Sequence, residues 1–384
     1  MVTRETGLAL KGVRIVDSAH QYPGPYCSML LGDLGAEVIK VERPGIGDPA
    51  RAIPGFFRSI NRNKKSLTLD LKKPDARDIL YRLVERSDIF TEGFRPGVAE
   101  RMGIGHETLR KINRRLVYCS LSGYGQEGPY RDQPGHDVNY AAMAGMLPEF
   151  KDRSGNIVVP GVAVGDLSSG MFAVIGILAA LFAREKTGEG QYIDVSIFDG
   201  LVSWMSTRLG SFFSNTPLHG AYDAGYGVFY GADGKAFTLG IAHEDWFWDR
   251  LCAALDLPEL QGIHQAERLD RRDAIVEKLQ SVLSGRPGDE WLKILMEADV
   301  PAAPVHSLED IETDPHVISR ELIQKVTLKS GETSTQVNFP IKLSGTPGGV
   351  RMPPPELGEH SEEVVRSLGY SSEEIERLRK DGVI

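Results

Sequence analysis

The sequence predicts an α/β fold built on a parallel sheet, and three observations lead there. Short β-type runs recur at intervals through the first third of the chain: VRIV at 13–16, VIKV at 38–41, SLTL at 66–69, DIF at 88–90 and LVYCS at 116–120. Helical patterns stand between them, at about 26–34 and again after Pro74, a residue suited to a first helical turn. The composition, 41% hydrophobic and 25% charged over 384 residues, is that of an ordinary globular chain able to bury a full core. Strands alternating with helices imply a parallel sheet covered on both faces.

The later elements follow the same logic and then depart from it. A long apolar helix is expected over about 168–185, a turn at Thr187-Gly188-Glu189-Gly190, and a strand over 191–198. Beyond Leu209 the pattern changes. Segments at 228–230 and 235–240 flank Ala232-Asp233-Gly234, a hairpin signal, and helices follow near 245–255, 268–284 and 289–298. This predicts a large domain over 1–219, a smaller α+β domain over 220–325, and a Pro-rich C-terminal segment over 326–384 with two short helices. Trp246, Phe247 and Trp248 read as core or interface residues of the smaller domain.

Charge and motifs exclude several function classes. A net charge of −9 argues against non-specific nucleic-acid binding, which needs a basic face. The three cysteines are far apart and make no metal or disulfide spacing. The N-terminal stretch MVTRETGLALKG has no apolar signal core, and the longest apolar run, 171–183, spans 13 residues, which reads as a buried helix. The expectation is a cytoplasmic protein with no nucleic-acid partner, no membrane and no metal. No Rossmann-type glycine pattern is expected after a strand, and there is no Walker sequence, G-x-S-x-G elbow or H-E-x-x-H.

Chemistry is carried by a few segments. Gly165-Asp166-Leu167-Ser168-Ser169 places a carboxylate just before a helix, where Ser168 or Ser169 can cap. The positive end of the helix dipole favours an ionised carboxylate there, suited to covalent attack on an acyl carbon; simple capping is the alternative. His136-Asp137, after the glycine-rich loop at 122–129, is either an oriented base or a loop-fixing pair. Basic residues recur near expected strand ends: Arg43, the group Arg62, Lys64 and Lys65, then Arg95 and Arg101. A phosphorylated ligand outside the carboxyl ends of the strands would draw them together; an ordinary solvated surface is the alternative.

Taken in order, these stretches resemble the class III coenzyme A transferase family, the CaiB/BaiF group, which includes α-methylacyl-CoA racemase. The resemblance rests on LKGVRIVDSAHQYPGPYCSMLLGDLGAEVIKVERPGIGDPAR, NRNKKSLTLDLKKPDAR, EGFRPGVAERMGI, LVYCSLSGYGQEGPY, GHDVNYAAMAG, VGDLSSGMFAVIGILAALFAREKTGEGQYIDVSIFDG and PPELGEHSEEV. It implies a Rossmann-like large domain assembled from N- and C-terminal parts, a small domain, and an interlocked homodimer with its site between domains of different subunits. It implies CoA as substrate and no separate cofactor, with an acyl-CoA and a carboxylic acid as reaction partners. It makes Asp166 the catalytic carboxylate. Arg43, Lys64, Arg95 and Arg101 would hold the phosphates of CoA, and Tyr22, Pro23, Asn61, Gly93 and Phe94 its adenine and pantetheine. The GHD-x-N-Y pattern resembles the racemase branch, in which His136 and Asp166 would act as two bases, whereas GDLSSGM resembles the transferases. CoA transfer through a covalent aspartyl group is the favoured reading. Epimerisation of a 2-methylacyl-CoA and non-catalytic acyl-CoA binding stay as alternatives.

Overall fold

Burial on both faces is what makes the first strands so apolar. In the computed structural model, which describes residues 7–152, 154–215 and 223–384, the strands are β1 (Arg14–Asp17), β2 (Glu37–Glu42), β3 (Lys64–Thr68), β4 (Ile89–Glu92), β5 (Val117–Ser122) and β6 (Tyr192–Ser196). They form one sheet in the order β3-β2-β1-β4-β5-β6, and every neighbouring pair is parallel. The chain therefore leaves β1 in one direction and returns to its other side at β4. Such a reversal opens a crevice at the carboxyl ends of the two central strands.

The helices of this part are α1 (Pro23–Asp33), α2 (Pro54–Ser59), α3 (Pro74–Glu85), α4 (Val98–Arg101), α5 (His106–Ile112), α6 (Asp137–Met143), α7 (Val164–Thr187) and α8 (Ile197–Trp204). Period-two alternation sends Val16, Phe90 and Tyr118 to one face of the sheet, against Ile79, Leu80 and Leu83 of α3 and Val365 near the C-terminus. The residues between them, Ile15, Ile89, Cys119 and Leu121, face Leu31 of α1 and Ala173, Ile177 and Ala180 of α7. Helix α1 begins at Pro23, earlier than the sequence suggests, because that proline occupies its first turn.

The chain divides into two compact units, one of residues up to Ser206 with Ser319–Ile384, the other Thr207–Ile318. The boundary expected at 219/220 lies outside the described residues, as do the first six residues of the N-terminal stretch. The second unit contains the expected hairpin, β7 (Tyr226–Tyr230) antiparallel to β8 (Ala236–Gly240), with β9 (Ala302–Pro304) on the other side of β8. Trp248 is fully buried in its core, whereas Trp246 is exposed.

Two expectations need correction. Helix α7 starts at Val164 and runs 24 residues, so it is long and apolar enough to cross a membrane by length and composition; 39% of its most apolar window is buried within this chain. A glycine pattern with Rossmann spacing does follow a strand: Gly123-Tyr124-Gly125-Gln126-Glu127-Gly128 comes directly after β5. No helix opens there, since α6 begins only at Asp137, so the loop lacks the helix N-terminus that cradles a dinucleotide pyrophosphate.

Candidate active site

A cavity of about 500 Å³ lies at the crevice between β1 and β4, in the first unit. Its walls come from the loops after β1, β4 and β5, from the segment leading into α6, and from the start of α7. Of the residues singled out in the sequence, Tyr22, Pro23, Gly93, Phe94, Arg95, His136 and Asp166 line it.

Asp166 gets there through helix packing. It sits in the first turn of α7, four residues before Gly170, where α7 crosses the start of α1. A Cβ at Gly170 would lie 2.8 Å from the Pro23 carbonyl oxygen, so only glycine lets the helices approach this closely. The serines do not cap α7, contrary to expectation: Ser168 Oγ donates to Gly165 O (3.1 Å) and Ser169 Oγ to Asp166 O (3.0 Å). The acceptor at the helix start comes from α6 instead, where Asp137 Oδ1 takes the Asp166 backbone N–H at 3.0 Å. Gly165 makes room, since a Cβ there would stand 2.8 Å from that oxygen. Asp137 is itself placed by the turn before it, in which the His136 N–H donates to Asn139 Oδ1 (3.0 Å).

The charge state of Asp166 also departs from expectation. Burial, followed by the neighbouring Asp137 carboxylate, pushes its pKa up to about 7. Desolvation of a carboxylate outweighs the favourable end of the helix. Among the described residues no lysine or arginine pairs with it.

The basic residues separate into two groups. Lys64 and Asn61, expected at CoA, are both buried in this chain. Lys64 is fully buried, with Nζ 3.3 Å from Asp17 Oδ2 and donating to Pro25 O and Asn61 Oδ1 at 2.8 Å each. Asn61 is fully buried too and donates to Phe57 O. Arg62 is held by Asp33 (2.6 Å), and Lys65 by Glu37 and Glu363. Arg43, Arg95 and Arg101 are exposed, and no ion pair engages them among the described residues.

The paired group has a structural role. Lys40 and Asp48, both fully buried, meet at 2.8 Å; Lys40 also donates to Ala19 O, and Asp48 accepts the Gln21 N–H at 3.0 Å. Gln21 has φ +62°, so these contacts hold the cavity loop after β1 in a conformation that a lone glutamine rarely adopts. Lys64 and Lys40 hold Asp17 down at about 2, against the effect of burial.

Sequence reasoning missed Arg131, and it marked Ser122, Tyr124 and Tyr140 only as members of the glycine-rich loop and the GHD-x-N-Y pattern, with no role of their own. Tyr140 donates to Gly135 O (2.7 Å) and packs edge-on against Tyr124, 5.0 Å between ring centres. The loop from Gln126 to His136 has no periodicity to mark it, and only a glycine-rich start to draw attention.

A sequence model of CoA-transferase family III matches residues 10–361. The chain belongs to that family. It is 35% identical to the succinyl-CoA–L-malate CoA-transferase β subunit of Chloroflexus aurantiacus, over 99% of each chain. It is 36% identical to the succinyl-CoA:mesaconate CoA-transferase of Haloarcula marismortui, over 95% of this chain and 97% of that one. A CaiB/BaiF family protein from Brucella suis has the same fold, with a TM-score of 0.84 and 28% identity over 94% of this chain and all of its own. The chain is thus a family III CoA-transferase, and these relatives favour CoA transfer over the epimerase and binding-only readings.

Proposed function

We propose that this family III CoA-transferase moves CoA from an acyl-CoA to a carboxylic acid through covalent intermediates on Asp166. The observation that carries the reading is a carboxylate in the cavity wall, in the first turn of α7, with no lysine or arginine paired to it among the described residues. The Asp166 carboxylate attacks the thioester carbonyl, the C–S bond breaks, and CoA leaves as thiolate. The thiolate then attacks the aspartyl carbonyl of the mixed anhydride, releasing the first acid and leaving CoA on Asp166. The acceptor carboxylate attacks that thioester, and the returning thiolate takes the new acyl group and frees Asp166. No proton is gained or lost over the cycle. Holding CoA beside the carboxylate makes each attack effectively intramolecular.

Arg43, Arg95 and Arg101 serve the CoA phosphates in this reading, and Tyr22, Pro23, Gly93 and Phe94 the rest of the cofactor-like tail. Their free guanidiniums support it, since such groups bind phosphate strongly. The names of both relatives above include a dicarboxylic acid, malate or mesaconate, which supports a carboxylic acid as acceptor here. The test is trapping. Hydroxylamine added during turnover with an acyl-CoA is expected to inactivate the enzyme and leave a hydroxamate at Asp166, read by peptide mass spectrometry. A full-rate enzyme with Asp166 unmodified under those conditions would refute the covalent route.

A homodimer belongs to the same proposal. Met171, Ile175, Leu178 and Phe182 recur at helical spacing along α7 and are 48%, 60%, 36% and 67% exposed. An apolar stripe of this length on a single chain calls for a cover, and a second copy supplies one. Sedimentation is expected to give a dimer at micromolar concentration, and a folded monomer there would contradict it.

A further inference from the structure

We infer that Glu92 is a positioning residue for CoA binding: through the Phe94 N–H, its carboxyl group fixes the turn Gly93-Phe94-Arg95 in the cavity wall. The inference rests on the assignment of that turn to CoA under the proposed function, and it adds a buried residue that governs the turn without lining the cavity.

Glu92 ends β4 and is 3% exposed. Strand register places it in one row with Ser120 of β5 and Asp194 of β6, two residues beyond the row of Phe90, Tyr118 and Tyr192. Glu92 Oε2 accepts the Phe94 N–H at 2.7 Å. Ser120 hydrogen-bonds to the same carboxyl group. Because Ser120 Oγ accepts the Tyr192 O–H at 3.1 Å, its own proton is the one it offers to Glu92. Both contacts thus bring a hydrogen to the carboxyl group, an arrangement that suits a carboxylate better than a neutral acid. Asp194, in the same row, holds the next cavity loop in the same way, its Oδ2 accepting the Gln126 N–H at 2.8 Å.

The surroundings oppose the charge. The acids facing Glu92 are Glu100 of α4 and Asp194 of β6, and the other titratable groups around it are Tyr118 and Cys119 of β5 and Tyr192 of β6. Burial, with those two acids adding to it, pushes its pKa up to about 7, so it changes charge at neutral pH. The turn it holds lies between Gly93 and Gly97, the latter at φ +80°, and carries Phe94 and Arg95 into the cavity wall. The Phe94 ring meets His20 edge-on, 5.7 Å between ring centres, so the placement of the turn also reaches the loop after β1. Protonation of Glu92 weakens its hold on the Phe94 N–H. The turn then spends less time in the conformation that meets CoA, and the apparent affinity falls by that fraction.

The experiment measures CoA binding by calorimetry at pH 6 and pH 8, in the Asp166→Asn background so that Asp166 does not titrate. Adding Glu92→Gln, which keeps the size and one acceptor oxygen, is expected to weaken binding by about 3- to 10-fold at pH 8 and to leave it nearly equal at pH 6, the difference between a charged and a neutral hydrogen bond. Titration of CoA itself is common to both proteins and cancels in the ratio. Ser120→Ala in the same background removes one support of the ionised form, and should move the rise in affinity upward by about one pH unit. With Asp166 intact, Glu92→Gln at pH 8 should raise the KM for acyl-CoA and leave kcat within about twofold. A ratio of affinities that does not change with pH, no upward move in Ser120→Ala, or a fall in kcat with KM unchanged overturns the positioning role. Arg95→Ala separates this from the assignment beneath it: unchanged CoA affinity in that variant would take CoA away from the turn and overturn both.

Discussion

Asp166→Asn is expected to lower turnover by about a thousandfold or more while leaving CoA affinity within a few-fold of wild type. The substitution keeps the shape of the side chain and removes the anionic oxygen, and losing a covalent nucleophile costs effects of this order. Steady-state kinetics alongside calorimetric titration with CoA would check both halves. A variant with more than a tenth of wild-type activity would remove Asp166 from the chemistry. The wild-type pH profile adds a signed companion. With its pKa raised to about 7, Asp166 is mostly protonated and unreactive below that pH. The rate should therefore rise with pH through an inflection near 7, falling about tenfold per unit on the acid side. Asp137→Asn keeps an oxygen for the Asp166 N–H but loses the neighbouring charge, so the inflection should move to lower pH. The same shift works against stability. The folded chain retains a proton that the unfolded chain releases above 3.8, so this group's contribution falls as pH rises from there to 7.

Lys64→Ala is expected to destabilise the fold by about 3–5 kcal/mol, the usual consequence of leaving one partner of a buried ion pair alone. Its ammonium is fully enclosed, and with Asp17 at about 2 and Lys64 lowered by burial to about 8, both are charged at neutral pH. Removing it leaves a buried carboxylate next to Ser28 and Thr91 with only Lys40 for compensation. Urea denaturation should show the loss, and the double variant Lys64→Ala/Asp17→Asn should recover part of it, because the stranded charge is gone. Normal stability with weakened CoA binding would instead return Lys64 to the phosphate site.

The two cases show where reading the sequence stopped. The strands were legible because alternating or continuous apolar runs are local patterns: VRIV and VIKV fall within one residue of β1 and β2 at each end, and LVYCS within two of β5. The hairpin at 226–240 was legible from its turn residues. Asp166 stood out as a carboxylate near a helix start, and the family resemblance ranked it above the other acids. The burial of Lys64 was not legible because Asn61-Arg62-Asn63-Lys64-Lys65 looks like a solvated basic patch, and nothing nearby reveals that Asp17, 47 positions away, lies beneath it.

By itself, then, the amino-acid sequence determined the α/β class, the positions of the principal strands and helices, and membership of a CoA-transferase family, all of which depend on periodicity and residue order. Only the tertiary structure decided which charges are paired and which are free, that Asp137 and not a serine caps α7, that Asp166 titrates near 7, and that Arg131 and Ser122 share a cavity with it. The physical reason is that desolvation and ion pairing act over a few ångströms in space between groups distant along the chain, so no local window of sequence contains them.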